Sequence, residues 1–282
     1  MNNYSIFILA TMLIAYLLDV VTGMLNLRAL QPELPKEFTG VYDAEKYRKS
    51  QEYTRVSSKF GLFVSTFNLL VTLTFWFMGG FAYVDTLVRS WGFSPIMSGL
   101  AFIGILVVAN GITSMPFGIY STFVIEERFG FNKTTVGTFI LDKIKALGLG
   151  LVLGVPVLAG ILWFFGSAGE FAWLYCWIAV TIVTFGLQFI APTWIMPLFN
   201  KFTPLEDGEL RSTLLAYADK VNFPLQGIFV IDGSKRSARS NAYFTGFGKN
   251  KRIALYDTLI NNHSIEELTA VLAHEVGHYK RK

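Results

Sequence analysis

Only three histidines occur among the 282 residues, and two of them stand four apart in "VLAHEVGHYKRK", residues 271–282. His274, Glu275 and His278 spell H-E-x-x-H. In an α-helix, residues four apart lie one turn above each other on one face. His274 and His278 can therefore present two imidazoles to a single ion. Glu275 follows the first of them, where a carboxylate can reach a metal-activated water and serve as general base. Zinc lowers the pKa of a bound water from roughly 16 to about 7, and His-and-carboxylate sites of this type keep one coordination position open. The chemistry that these residues encode is metal-assisted hydrolysis, with one Zn2+ per chain.

Such a site needs a third protein ligand. His263 lies eleven residues before His274, roughly 16 Å along a helix axis, and reads as an exposed loop residue. Glu267 lies about 10 Å away on the same reckoning and is better used as a capping acid. The third ligand is expected beyond Lys282, with the sequence continuing past that residue. Two imidazoles alone hold zinc poorly, so the 282 residues by themselves are expected to hydrolyse little. Cys176, the single cysteine, sits in an apolar run and reads as a packing residue.

The elements that must position the histidines are legible nearby. Ser264-x-x-Glu267 forms a capping box, and Leu268, Val271, Leu272 and Val276 give the following helix an apolar face. "QGIFVIDG" and "KRIALYDTLI" read as strands, and residues 240–259, with a turn at "GKN", read as a β-hairpin. An added strand at such a hairpin is how a protease can hold substrate. Further upstream, Thr203 reads as an N-cap, with Pro204 in the first helical position and Glu206 closing a capping box. Leu210, Leu214, Leu215 and Ala218 then form the buried face of that helix.

The rest of the chain is a different solvent problem. Hydrophobic residues make up 52%, aromatic residues 16% and charged residues only 16%, with a mean hydropathy of +0.46. Five stretches meet the roughly 20-residue length of a membrane span: about 5–27, 60–84, 98–125, 145–166 and 171–197. The first carries Asp19, and Pro116 predicts a kink in the third. The polar segment "DAEKYRKSQEYTRVSSK" between the first two has helical composition. With five spans, 23 of the 24 Lys and Arg fall on one side and only Arg89 on the other. By the positive-inside rule that side is cytoplasmic, and it holds residues 198–282. The basic run "SKRSAR" reads as a solvated loop or as a site for anionic lipid headgroups. Nothing in the modest net charge points to nucleic acid.

The runs "PLFNKFTPLEDGEL", "DGSKRSARSNAYFTGFGKNKRIALYDTL" and "HEVGHYK", together with the early "DAEKYRKSQEYTRVSSKF", resemble the CAAX prenyl protease 1 family over nearly the whole chain. The resemblance implies a mainly α, multi-pass membrane bundle that encloses a chamber, with a small α+β, gluzincin-like zinc-peptidase domain. Residues 1–197 would form the membrane domain and residues 198–282 the cytoplasmic-side metallopeptidase domain. It further implies that His274 and His278 are zinc ligands, that Glu275 is the base and that a downstream glutamate is the third ligand. The strand around Asn241, Ala242 and Tyr243 would pair with substrate backbone.

One departure stands out. Arg239 in "SARSNAY" occupies a position that is His in eukaryotic members, which fits a bacterial inner-membrane protein better than one of the endoplasmic reticulum. The expected partners are the lipid bilayer and a peptide or membrane-protein substrate, prenylated or not. Two alternatives remain: a quality-control protease without prenyl preference, and a non-catalytic membrane chaperone or scaffold.

Overall fold

The first two long helices begin where short polar side chains can satisfy free amides. Asn2 accepts a hydrogen bond from the Ser5 amide at 2.9 Å, and Asp43 accepts from Glu45 and Lys46 at 2.8 and 3.0 Å, as N-caps do. The computed structural model describes residues 2–167, 169–245 and 251–280. The chain divides into two compact units, residues 1–130 and 131–282.

In the first unit, α1 (Asn3–Ala29) packs beside α2 (Ala44–Phe77), followed by α3 (Gly80–Ser90) and α4 (Pro95–Tyr120). The polar segment after Asp43 is continuous with the second apolar stretch, so one helix covers both. It ends at Gly79, whose φ of +77° suits glycine, and residues 80–90 form a separate helix rather than the end of a span. The helix α4 runs through Pro116 and passes into a π turn at Ser121–Glu126. Polar pairs join α1 to α2: Tyr16 to Thr66 at 2.8 Å, and Ser65 donating to Asp19 at 3.1 Å. Phe117 packs against Phe60, Phe63 and Phe67 of α2, the last at 4.9 Å between centroids.

The second unit opens with α5 (Val136–Leu149), which continues through a π turn into α6 (Val155–Ser167). Next, α7 (Ala172–Ile190) passes through a π turn at Ala191–Ile195 into α8 (Met196–Phe199). Pro192 lies in that turn, and a missing N–H is one way the i→i+4 ladder slips. Cys176 is buried, its thiol 3.7 Å from the Ile161 carbonyl. Among the described residues, five helical stretches are long and apolar enough to cross a membrane: Asn3–Ala29, Ala44–Phe77, Pro95–Glu126, Val136–Ser167 and Gly169–Phe199.

A four-stranded sheet and three helices complete the unit. They are β1 (Phe202–Pro204), α9 (Glu209–Lys220), β2 (Leu225–Ile231), β3 (Ala242–Thr245), β4 (Lys251–Tyr256), α10 (Asp257–Asn262) and α11 (Ile265–Lys280). The strand order is β1-β2-β4-β3; β2 and β4 run parallel, while β1 and β3 pair antiparallel with their neighbours. Leu214, Ala218, Ile228, Ile253, Leu255, Leu268, Leu272 and Val276 form the core between the sheet, α9 and α11.

Two local expectations give way to tertiary pairing. Thr203 and Pro204 are not a helix start: they lie in β1, opposite Val230 and Phe229, and α9 begins at Glu209 with Gly208 as its cap. The ladder satisfies more backbone than one cap could, and an edge strand tolerates the missing N–H of Pro204. The strand read through "DTLI" stops at Tyr256. Asp257 turns the chain into α10, its carboxylate accepting the amides of Thr258 and Ser234, each at 2.8 Å. The hairpin itself is present as β3–β4; its turn at "GKN" lies outside the described residues.

Candidate metal centre

The histidines owe their placement to the way α11 is capped and seated. Ser264 and Glu267 exchange hydrogen bonds, the Ser264 amide to the carboxylate at 2.8 Å and the Glu267 amide to the hydroxyl at 3.3 Å. Leu268, Leu272 and Val276 are buried against the core. A helix turns about 100° per residue, so His274 and His278, two residues beyond Leu272 and Val276, face away from the core. Both are exposed and Glu275 is half-buried.

The two imidazoles converge. His274 Nε2 and His278 Nε2 lie 2.9 Å apart, with ring centroids at 4.5 Å and planes at 89°. Two nitrogens on one tetrahedral zinc, each at about 2.0–2.1 Å, would be separated by roughly 3.3 Å. The pair therefore needs to open by only a few tenths of an ångström, and the donors fit zinc. Among the described residues, no group of three His, Cys, Asp or Glu side chains gathers around one point. His263 is occupied at the far end of α11, its Nδ1 3.0 Å from the Leu259 carbonyl, and Glu267 is committed to the cap.

The last turn of α11 is clamped to the sheet. Tyr279 meets Phe223 at 5.4 Å and Phe244 of β3 at 6.3 Å, both edge-on. The ammonium of Lys251, only 2% exposed, sits over the Tyr279 ring, and it has no hydrogen-bond partner among the described residues. Lys280 donates to the Val221 carbonyl; Arg281 and Lys282, the rest of that basic cluster, lie outside the described residues.

The strand segment singled out by sequence runs against this helix. The Asn241 carbonyl accepts the Tyr256 amide at 3.0 Å, its side chain accepts the Ala242 amide at 2.9 Å, and Ala242 and Tyr243 pair with Leu255 and Ala254. No described strand pairs with the other edge of β3. The Tyr243 hydroxyl lies 3.5 Å from the Met196 sulfur. Burial, and secondarily the neighbouring Tyr256, hold its phenol well above the usual tyrosine range.

In the basic run Ser234, Lys235 and Arg239 are exposed, as a solvated loop requires, but Arg236 is turned inward. Arg236 is half-buried and forms a bidentate pair with Asp142, at 2.7 and 2.8 Å. That partner is 94 positions away in sequence, and no local pattern marks it. Arg239 lies over the Phe131 ring at 4.6 Å.

Known proteins agree with this architecture. The family description "CAAX prenyl protease N-terminal, five membrane helices" matches residues 23–201, and "Peptidase family M48" matches residues 204–282. CAAX prenyl protease 1 of Saccharomyces cerevisiae is 43% identical over 263 residues, covering 89% of this chain and 58% of its own. The Arabidopsis thaliana homolog is 40% identical, covering 95% of this chain and 66% of its own, and the Homo sapiens homolog is 34% identical, covering 88% and 61%. The crystal structure of S. mikatae Ste24p superposes with a TM-score of 0.90 at 39% identity, covering all of this chain and 68% of that one. The chain thus spans about three fifths of the length of these curated relatives. With a membrane part and a peptidase part matched one after the other along the sequence, this multi-pass membrane chain belongs to the CAAX prenyl protease 1 family of M48 peptidases.

Proposed function

We propose that this chain carries the metal-binding helix and the substrate strand of a membrane-embedded zinc endopeptidase. The observation that carries the reading is the convergence of His274 and His278 to 2.9 Å, with Glu275 beside them and a strand edge that no described strand covers packed against the same helix. In this reading His274 and His278 are two ligands of one zinc ion per chain. The third, a glutamate by the family resemblance, comes from outside the described residues. When bound, zinc supplies a water acidic enough to be deprotonated near neutral pH and polarises the scissile carbonyl.

The protein's own residues do the rest. Glu275 takes the proton of the attacking water and later delivers it to the leaving amine. The outer edge of β3 and the preceding Asn241, with no described strand beside them, accept the substrate as an added strand, so that main-chain hydrogen bonds hold it in line with α11. The one-sided distribution of Lys and Arg supports a cytoplasmic position for this site. The substrates are membrane-associated peptides or proteins, and the relatives' names point to those ending in a CAAX sequence.

In the full-length protein, Glu275→Gln should lower kcat by roughly 10²–10⁴-fold, the range for a general base, while zinc content stays near one equivalent. Unchanged turnover would sink the mechanism, and a wild-type protein without zinc would favour a non-catalytic scaffold. Arg239, standing where eukaryotic members have His, motivates the second reading, a quality-control protease without prenyl preference. Equal cleavage rates for prenylated and unprenylated forms of one peptide would favour that reading over a CAAX-directed one.

A further inference from the structure

Arg236 spends its guanidinium on two membrane-length helices at once. Nε and Nη2 donate to the two carboxylate oxygens of Asp142 on α5, at 2.7 and 2.8 Å. Nη2 also donates to the Phe199 carbonyl at 2.7 Å, and Nη1 to the Asn200 side chain at 2.8 Å, both at the end of α8. The two helices are tied directly as well, Lys145 of α5 donating to the Leu198 carbonyl at 2.7 Å. The Arg236 carbonyl accepts the Lys133 amide at 3.0 Å and the Thr134 hydroxyl at 3.1 Å, and the Ala238 amide reaches the Phe131 carbonyl at 2.9 Å.

The other end of the same loop is fastened to the sheet. The Arg239 carbonyl accepts the Thr258 hydroxyl at 2.8 Å, and Ser240 donates to the Thr258 carbonyl at 3.2 Å. Ser234 donates its amide to Asp257 at 2.8 Å. Gly233 is buried where a Cβ would run into the Tyr256 ring. The next residue after this fastened loop is Asn241, which leads directly into β3.

We infer that Arg236 is a positioning residue, fixing the substrate edge of β3 relative to α5 and the end of α8. The inference rests on the reading of β3 as the substrate strand. The geometry is specific to arginine: four hydrogen bonds leave one planar fork in three directions, which the point charge of lysine cannot reproduce. The pair is also largely shielded, with side chains only 23% and 24% exposed, so it is not the weak kind of ion pair found on open surface.

The test uses the full-length protein with Arg236→Gln, Arg236→Lys and Asp142→Asn. Asp142→Asn leaves the other partners of Arg236 in place and keeps the test usable if Arg236→Gln fails to fold. The Arg236→Gln and Asp142→Asn variants should exchange the amides of residues 240–245 faster, while those of α11 and the zinc content stay unchanged. In both, KM for an unprenylated peptide should rise by roughly tenfold or more, the scale of one lost charge-assisted hydrogen bond, with kcat changed far less. Arg236→Lys should not rescue.

Unaltered exchange at 240–245, rescue by lysine, or parallel loss of kcat and zinc would each overturn the proposal. Faster exchange with an unchanged KM would overturn the positioning role too. Failure of the protease reading is separately visible, because it would appear as wild-type protein that holds no zinc and cleaves no peptide.

Discussion

His274 and His278 face each other across one turn of α11 because two imidazoles at that spacing can share one point. If that point is the zinc site, His278→Ala in the full-length protein should lose both the metal, by elemental analysis, and cleavage, whereas Glu275→Gln loses cleavage alone. Tyr243 offers a pH test. Its phenol is raised by burial and by Tyr256, so folding favours the protonated form. That contribution is fully present below the unfolded value of about 10 and is lost as pH climbs toward the folded value. Alkaline unfolding should therefore be less steep in Tyr243→Phe, and one late-titrating phenol should vanish from its absorbance titration. A variant that unfolds with the wild-type alkaline profile would contradict the burial of this side chain.

At the scale of elements, α11 is a lever held by its apolar seam. Leu272 is 2% exposed, and truncating such a residue to alanine costs about 2–5 kcal/mol. Leu272→Ala should lower the thermal midpoint of the detergent-solubilised protein and weaken zinc retention together, since the seam and the histidines share one rigid helix. A lowered midpoint with full zinc would separate the two. The seam was legible because Leu268, Leu272 and Val276 recur at helical spacing, and the Ser264–Glu267 cap because its partners are three residues apart. The start of α9 was misread for the converse reason. Thr203 through Glu206 match a capping box, but β2 offers Thr203 and Pro204 a ladder, and that partner is distant in sequence.

At the scale of the whole molecule, the five membrane-length helices among the described residues and a one-sided distribution of Lys and Arg make topology testable. In a Cys176→Ser background, Thr86→Cys and Ser212→Cys should react with an impermeant maleimide from opposite faces of sealed vesicles of known sidedness. Labelling of Ser212→Cys from the extracytoplasmic face would refute the proposed cytoplasmic placement of the sheet region, and labelling of both from one face would refute the span count.

What the sequence determined by itself follows from interactions of short reach or from bulk composition. A membrane span announces itself because each of its residues meets the same solvent, and H-E-x-x-H because a helix brings its own fourth neighbours together. The buried faces of α9 and α11 are visible for the same reason. Only the tertiary structure decided what depends on distant partners. It placed Thr203 in a strand opposite β2, left the outer edge of β3 without a described strand, and turned a basic loop into a tie between Arg236 and Asp142. Each of those outcomes is set by which backbone or charge lies across a gap in space, and sequence separation carries no record of that gap.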